Sequence, residues 1–228
     1  MLRGNGCHTF LDAGPLGSEG RLGHGHLDTL SLELSAPGGI FLCDTGCLAY
    51  TSDAGAYREQ VRTAAHNTVV VDDRDQAELT GLWRIAADGT RPRLLAWDPG
   101  PEEQRWEASH HGYGRLRDPV VHRRRVRFWP ARRWEVVDAL EGRGRARPGA
   151  VLALCPGVVA RLPPPAGGGA GAGGRSAPPD ERPAPGAGGG WVAPSYGVRR
   201  PAVVLVAAVR VRLPFQFRTV IEWMSIQG

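Results

Sequence analysis

Along most of the chain the apolar residues fall into short runs that alternate with polar positions or string β-branched side chains together. They occupy 29–34, 40–43, 68–71, 120–128, 134–137, 151–154, 203–211 and 218–223. Turn formers such as Pro37-Gly38-Gly39, Asp88-Gly89 and Asp98-Pro99-Gly100 separate them. A repeat of two along a run puts successive side chains on opposite faces of a strand, and frequent turns let neighbouring strands fold back. The pattern therefore predicts an all-β chain built as an antiparallel sandwich or barrel. Only 53–65 offers a short helix, and it is polar enough to form a loop instead.

The stretch GHGHLDTLSLEL at 23–34 combines this pattern with candidate chemistry. Taken as one strand, it places His24, His26 and Asp28 on the face of Leu30, Leu32 and Leu34, with Thr29, Ser31, Glu33 and Ser35 on the other. Polar groups on an apolar face need partners, since an unpaired buried one costs about 1–3 kcal/mol. Hydrogen bonds within the core would serve, and so would a metal ion. Asp44 closes the apolar run at 40–43, and His66 with Asn67 precedes the run at 68–71. Two imidazoles and a carboxylate suit Zn²⁺, a cation of borderline softness. The spacing alone leaves both explanations open.

Composition narrows the classes. The 228 residues include 32 glycines and 19 prolines, many of them in PPPAGGGAGAGG and PAPGAGGG. The segment 163–190 has too little apolar surface to offset the entropy of ordering and reads as a disordered insertion. Residues 1–162 then form the main part of one β-domain, and 191–228 bring its last strands back. The formal charge of +5, carried by arginine with no lysine present, suits an acidic partner without choosing one. Cys7, Cys43, Cys47 and Cys155 form neither a thiolate zinc motif nor a dense disulfide framework, and Cys43 reads as core. No run is long enough for a membrane helix, and residues 1–6 contain no export signal.

Taken in order, GHGHLDTLSLEL, LCDTG and RTAAHNTVVVDDRDQAE resemble the signature block of the heparinase II/III-like polysaccharide lyases, where HGHAD, a DPG-type turn and AHNTVxVDGxDQ follow one another. FLDAGPLG before the block, and ASHHGYGRL with His122-Arg123-Arg124 after it, are similar to the same family. The likeness is strong over residues 8–155 and looser through 191–221.

The resemblance implies an antiparallel β-sandwich that packs, in the family, against an N-terminal α/α toroid. Such enzymes cleave uronate-containing polysaccharides such as heparan sulfate or alginate by β-elimination. By motif position His24 would be the catalytic histidine in the cleft. His26, Asp44 and His66 would bind a zinc ion that is mainly structural, with Asp28 or Asn67 as conceivable supports. Thr45 replaces the usual proline of the turn, and Gly46 is kept. Tyr57 lies where relatives often carry a tyrosine facing the cleft, but an ordinary packed aromatic is the preferred explanation, and it is not counted as catalytic. Nothing before His8 has room for a helical hairpin, so the chain is expected to lack the toroid and to be inactive alone. It would be part of a longer lyase, or its toroid would come from a separate chain. Relatives act in the periplasm or outside the cell, which sets the expected location.

Three other readings follow from the same residues. Arg123, Arg125 and Arg127 share one strand face near Phe128, Trp129 and Trp134, which would suit a noncatalytic module gripping anionic glycans. A nucleic-acid partner would use the same arginines, but no recognised motif supports it. A histidine pair with a carboxylate also matches an Fe(II) oxygenase site, against which the AHNTVVVD string argues.

Overall fold

The computed structural model describes residues 1–18, 20–130, 132–160 and 189–224. In chain order the elements begin with β1 (Leu2–Gly4), β2 (Cys7–Leu11), β3 (Leu32–Ala36), β4 (Gly39–Leu42), α1 (Ala54–Gln60) and β5 (Val69–Val71). They continue with β6 (Arg93–Asp98), β7 (Gln104–Tyr113), β8 (Val120–Trp129), β9 (Arg133–Gly142), β10 (Arg145–Ala146) and β11 (Pro148–Leu154). The last are β12 (Gly189–Ser195), β13 (Val198–Ala208), β14 (Val211–Arg212) and β15 (Phe215–Glu222).

Two antiparallel sheets face each other. One has the order β1-β2-β3-β4-β11-β13-β12, with β5 also paired to β11, and the other runs β15-β9-β8-β7-β6. Their inner faces meet in a core where Leu2, Leu32, Leu34, Phe41 and Leu42 pack against Trp106, Val126, Phe128, Trp134 and Val136. A second cluster joins Val69, Val71 and Ala150 to Tyr113, Val120 and Leu140 at the other end. Of the sandwich or barrel that the apolar rhythm predicts, the sandwich implied by the resemblance is the fold observed.

The strands differ in how well the pattern located them. In β8 the burial alternates along the strand, with Val126 and Phe128 inside and Arg123 and Arg125 outside. β4 follows β3 through Pro37-Gly38-Gly39, where Gly38 and Gly39 take φ of 108° and 141°, a region side chains disfavour. β2 and β7 are not among the expected runs, because Thr9, Ser109 and His110 interrupt the apolar signal while being buried themselves, and β6, also missed, is exposed along its length. The helix expected within 53–65 forms over Ala54–Gln60, capped by Asp53, whose Oδ1 accepts from the Ala56 amide at 2.9 Å.

The insertion expected at 163–190 lies outside the described residues, apart from Gly189 and Gly190. The strands that follow join the first sheet, β13 pairing with β11 and β12 with β13. No helix among the described residues is long and apolar enough to cross a membrane.

Candidate metal centre and catalytic histidine

The continuous strand expected over 23–34 does not form. β3 begins only at Leu32, and 23–31 is a loop that turns at Gly23, φ 60°, and at Leu30, φ 65°. The histidines therefore do not share a face with the leucines. Leu27, of the opposite parity, is buried in a small core with Leu16, Leu22, Ala77 and Ile85. Thr29 and Ser31, expected outside, are buried as well. The local pattern fails because hydrogen bonds from outside the strand override it: the Thr29 carbonyl accepts from Thr68 Oγ1 at 3.1 Å and from Gln76 Nε2 at 2.9 Å.

Three segments nevertheless bring His26, Asp44 and His66 together. His26 comes from the loop, Asp44 from just beyond β4, and His66 from the turn before β5. One ligand atom from each lies within 4.8 Å of the others. The two imidazole centroids are 5.0 Å apart, and His66 Nδ1 is 2.5 Å from Asp44 Oδ2. His66 is fully buried, and its Nε2 closes no hydrogen bond. Asp44 Oδ1 accepts from the Gly46 amide at 2.8 Å, which shapes the turn. Gly46 is required there: its φ is 70°, and a Cβ would sit 2.4 Å from the Ala193 carbonyl oxygen of β12. The returning strand thus helps to place Asp44.

Asn67 locks the segments to one another. Its Nδ2 donates to the Leu32 and Cys43 carbonyls, both at 2.9 Å, and its Oδ1 accepts from the Ala153 amide at 2.6 Å. One amide side chain thus pins the start of β3, the residue before Asp44, and β11.

The electrostatics suit a cation. Burial would lower the His66 pKa, but the charge and hydrogen bond of Asp44 outweigh it and raise it to about 9. Burial raises the Asp44 pKa, yet His66 and the Gly46 amide hold it down at about 2. The His26 pKa is lowered, first by burial and then by the charge of His66. Burial, with the charge of Asp28 behind it, lifts Asp12 to about 6, and burial with Asp44 raises Glu33. Two imidazoles ringed by carboxylates that repel one another form a donor set that a divalent ion would relieve.

His24 stands apart from this cluster, exposed, with Nδ1 2.7 Å from the Tyr50 hydroxyl. Tyr50 stacks on Trp83 at 5.5 Å and on Tyr196 at 6.1 Å between centroids. Tyr57, which its motif position offered as a tyrosine facing the cleft, does not face one. It is buried beneath Trp83, with centroids 4.3 Å apart, and burial raises its pKa to about 12. Tyr50 carries no sequence signal beyond following the Asp44 turn by a few residues, and only the structure brings it to His24.

The family model described as heparinase II/III-like, C-terminal, matches residues 1–223. The chain belongs to the heparinase II/III-like family. Among solved structures, a heparinase III with methylated lysines superposes at a TM-score of 0.67 and 18% identity, over 97% of this chain and 35% of that one. Heparan sulfate lyase HepC from Pedobacter heparinus gives 0.67 and 16%, over 95% and 34%. Another heparinase III gives 0.64 and 16%, over 94% and 32%. This chain spans about a third of the length of these structures. At such identities the likeness is one of fold. No curated protein sequence matches the chain.

The arginine row of this heparinase II/III-like domain is only partly as expected. Arg123 and Arg125 lie on the outer face of β8 with Arg127 half-buried beside them, but Phe128 and Trp134 belong to the core behind. Only Trp129 stands with the arginines, under the guanidiniums of Arg127 at 4.7 Å and Arg133 at 5.6 Å. Arg123 pairs with Glu107, and Arg127 with Glu103 at 2.7 Å. Much of the row's charge is therefore met within the sheet. Cys43 is core, as its position suggested, and packs near Cys155 against Val192 and Ala202.

Proposed function

We propose that this chain is the β-sandwich portion of a lyase that cleaves a uronate-containing polysaccharide by β-elimination, with a zinc ion held by His26, Asp44 and His66. The observation that carries the reading is the meeting of those three side chains from separate segments, two residues along the chain from an exposed histidine. The zinc would tie the three segments together and leave the chemistry to the surface beside it.

β-Elimination requires the carboxylate next to the acidic C5 proton to be neutralised, a base for that proton, and an acid for the departing oxygen. His24 is the group this domain offers. Tyr50 engages Nδ1 and orients the ring, leaving Nε2 for the sugar. The flat faces of Tyr50, Trp83 and Tyr196 supply a stacking wall for sugar rings. The remaining acid and base groups belong to a helical toroid, either on the same polypeptide or on a separate one. By likeness to its family, the lyase would act in the periplasm or outside the cell.

The test is the appearance of unsaturated uronate from heparan sulfate and alginate. The chain alone should give none, and a protein that joins it to its toroid should give product that His24→Ala abolishes. Glycan binding without turnover in either form, unchanged by His24→Ala, would replace the lyase with a noncatalytic anionic-glycan module seated on Trp129 and the outer arginines. Product formation in the joined protein that survives His24→Ala would remove His24 from the chemistry.

A further inference from the structure

A buried polar chain crosses the core behind the proposed metal centre, and the function described above makes no use of it. Arg124, on the inner face of β8, is 1% exposed. Its Nε donates to Asp138 Oδ1 at 2.7 Å and its Nη2 to Asp138 Oδ2 at 3.0 Å, a two-pronged pair with β9. Its Nη1 reaches across to the opposite sheet and donates to the carbonyls of Leu30 at 2.6 Å and Asn67 at 2.5 Å.

The rest of the chain fixes that guanidinium. The Gly112 amide donates to His110 Nδ1 at 3.0 Å, so His110 carries its proton on Nε2. That proton faces His122 Nδ1 at 3.1 Å, and His122 Nε2 then donates to Asp138 Oδ1 at 2.7 Å. Burial lowers the pKa of both imidazoles, which keeps them neutral in this order. Every bond points toward Asp138, whose carboxylate accepts from His122 and Arg124 together.

The two carbonyls that Arg124 holds are close in sequence to the proposed ligands. Asn67 directly follows His66, and Leu30 lies near the end of the loop that carries His26, in a left-handed conformation that a leucine adopts only under constraint. Asn67 and Thr68 also tie these segments together, but within their own sheet. Arg124 ties both segments to the opposite sheet, beside the bond that Tyr113 of β7 donates to the Val69 carbonyl at 2.6 Å.

We propose that Arg124, clamped by Asp138, His122 and His110, is a positioning residue that sets the separation of His26 and His66 by gripping the carbonyls of Leu30 and Asn67. The proposal rests on the zinc reading given above. Groups hydrogen-bonded directly to a metal's ligands commonly change its affinity by roughly 10–100-fold, and Arg124 acts one step further out, through the backbone carbonyls of Leu30 and Asn67.

The experiment compares the full chain with Arg124→Lys and with Trp134→Phe, a core change that removes the hydrogen bond from Trp134 Nε1 to Thr9. Zinc affinity is measured by competition with a chromophoric chelator, and site geometry by the visible spectrum of the Co²⁺-loaded chain. Hydrogen exchange of 23–31 and 62–68 is followed without metal. Arg124→Lys should bind zinc about 10-fold more weakly, the low end of that range, with an altered Co²⁺ spectrum, while Trp134→Phe stays near wild type despite a lower melting temperature. Wild-type affinity in Arg124→Lys, or an equal loss in Trp134→Phe, would overturn the proposal.

Should the wild-type chain bind no zinc, the metal reading falls by itself. Exchange then decides: faster exchange in both segments for Arg124→Lys alone sustains the positioning role, and equal exchange ends it. If Arg124→Lys does not fold, His122→Gln, which leaves the Arg124–Asp138 pair intact, takes its place in the same measurements.

Discussion

His24 and His26 are separated by one glycine and sit in different surroundings. One lies exposed against Tyr50, and the other turns toward His66. This divides the expected effects of substitution. His26→Ala, Asp44→Asn and His66→Ala should each lower the zinc content measured by elemental analysis from about one per chain toward zero. His24→Ala should leave it unchanged. Loss of zinc in His24→Ala would reverse the assignment of the two histidines.

The His66–Asp44 pair also predicts a pH dependence. In the metal-free chain the folded state raises the His66 pKa from 6.5 to about 9, so its contribution is complete below 6.5 and fades as pH climbs through 9. It lowers that of Asp44 from 3.8 to about 2, a contribution complete above 3.8 and lost as pH falls through 2. For this pair the metal-free chain should be most stable between 3.8 and 6.5, as denaturation at stepped pH would reveal. Zinc must displace the His66 proton. Calorimetry near neutral pH, in buffers of differing ionisation enthalpy, should therefore find close to one proton released per ion bound.

At the scale of elements, the turn before β5 and the strand β8 carry most of the organisation. Asn67→Ala removes two donors and an acceptor from buried backbone groups, each worth about 1–3 kcal/mol when left unpaired. Urea denaturation should show a loss on the order of 3 kcal/mol or more. On β8, adjacent residues have opposite fates. Arg123→Ala and Arg125→Ala, on the outer face, should leave the denaturation midpoint close to wild type, because exposed ion pairs contribute little. Phe128→Ala on the inner face should cost about 3–5 kcal/mol through the cavity it leaves. At Leu30, relief of the left-handed backbone by Leu30→Gly is worth about 1–3 kcal/mol, while emptying a fully buried leucine site costs about 2–5. Burial should prevail, giving a net loss in the same assay.

At the scale of the whole molecule, the site lies where the two sheets meet the loops above them. The segments that carry the ligands lead into or out of strands β3, β4 and β5 of the first sheet, the second sheet reaches those segments through Arg124, and β12 supports the Asp44 turn through Ala193. The proposed centre is therefore an outcome of closing the sandwich. It could not have formed from any one hairpin.

The sequence alone determined the sandwich and the family's motif residues, because alternation of apolar and polar positions is a local signal that survives in each strand and ordered motifs survive as strings. It also placed Cys43 in the core. It misplaced the backbone of 23–31, where parity suggested a strand, and it passed over Tyr50 and the core role of Arg124, which looks like any member of an arginine row. Those were decided by tertiary structure. A carbonyl takes its partner from whichever donor packing brings near, and donors such as Arg124 and Gln76 lie dozens of residues away, beyond the reach of any local pattern.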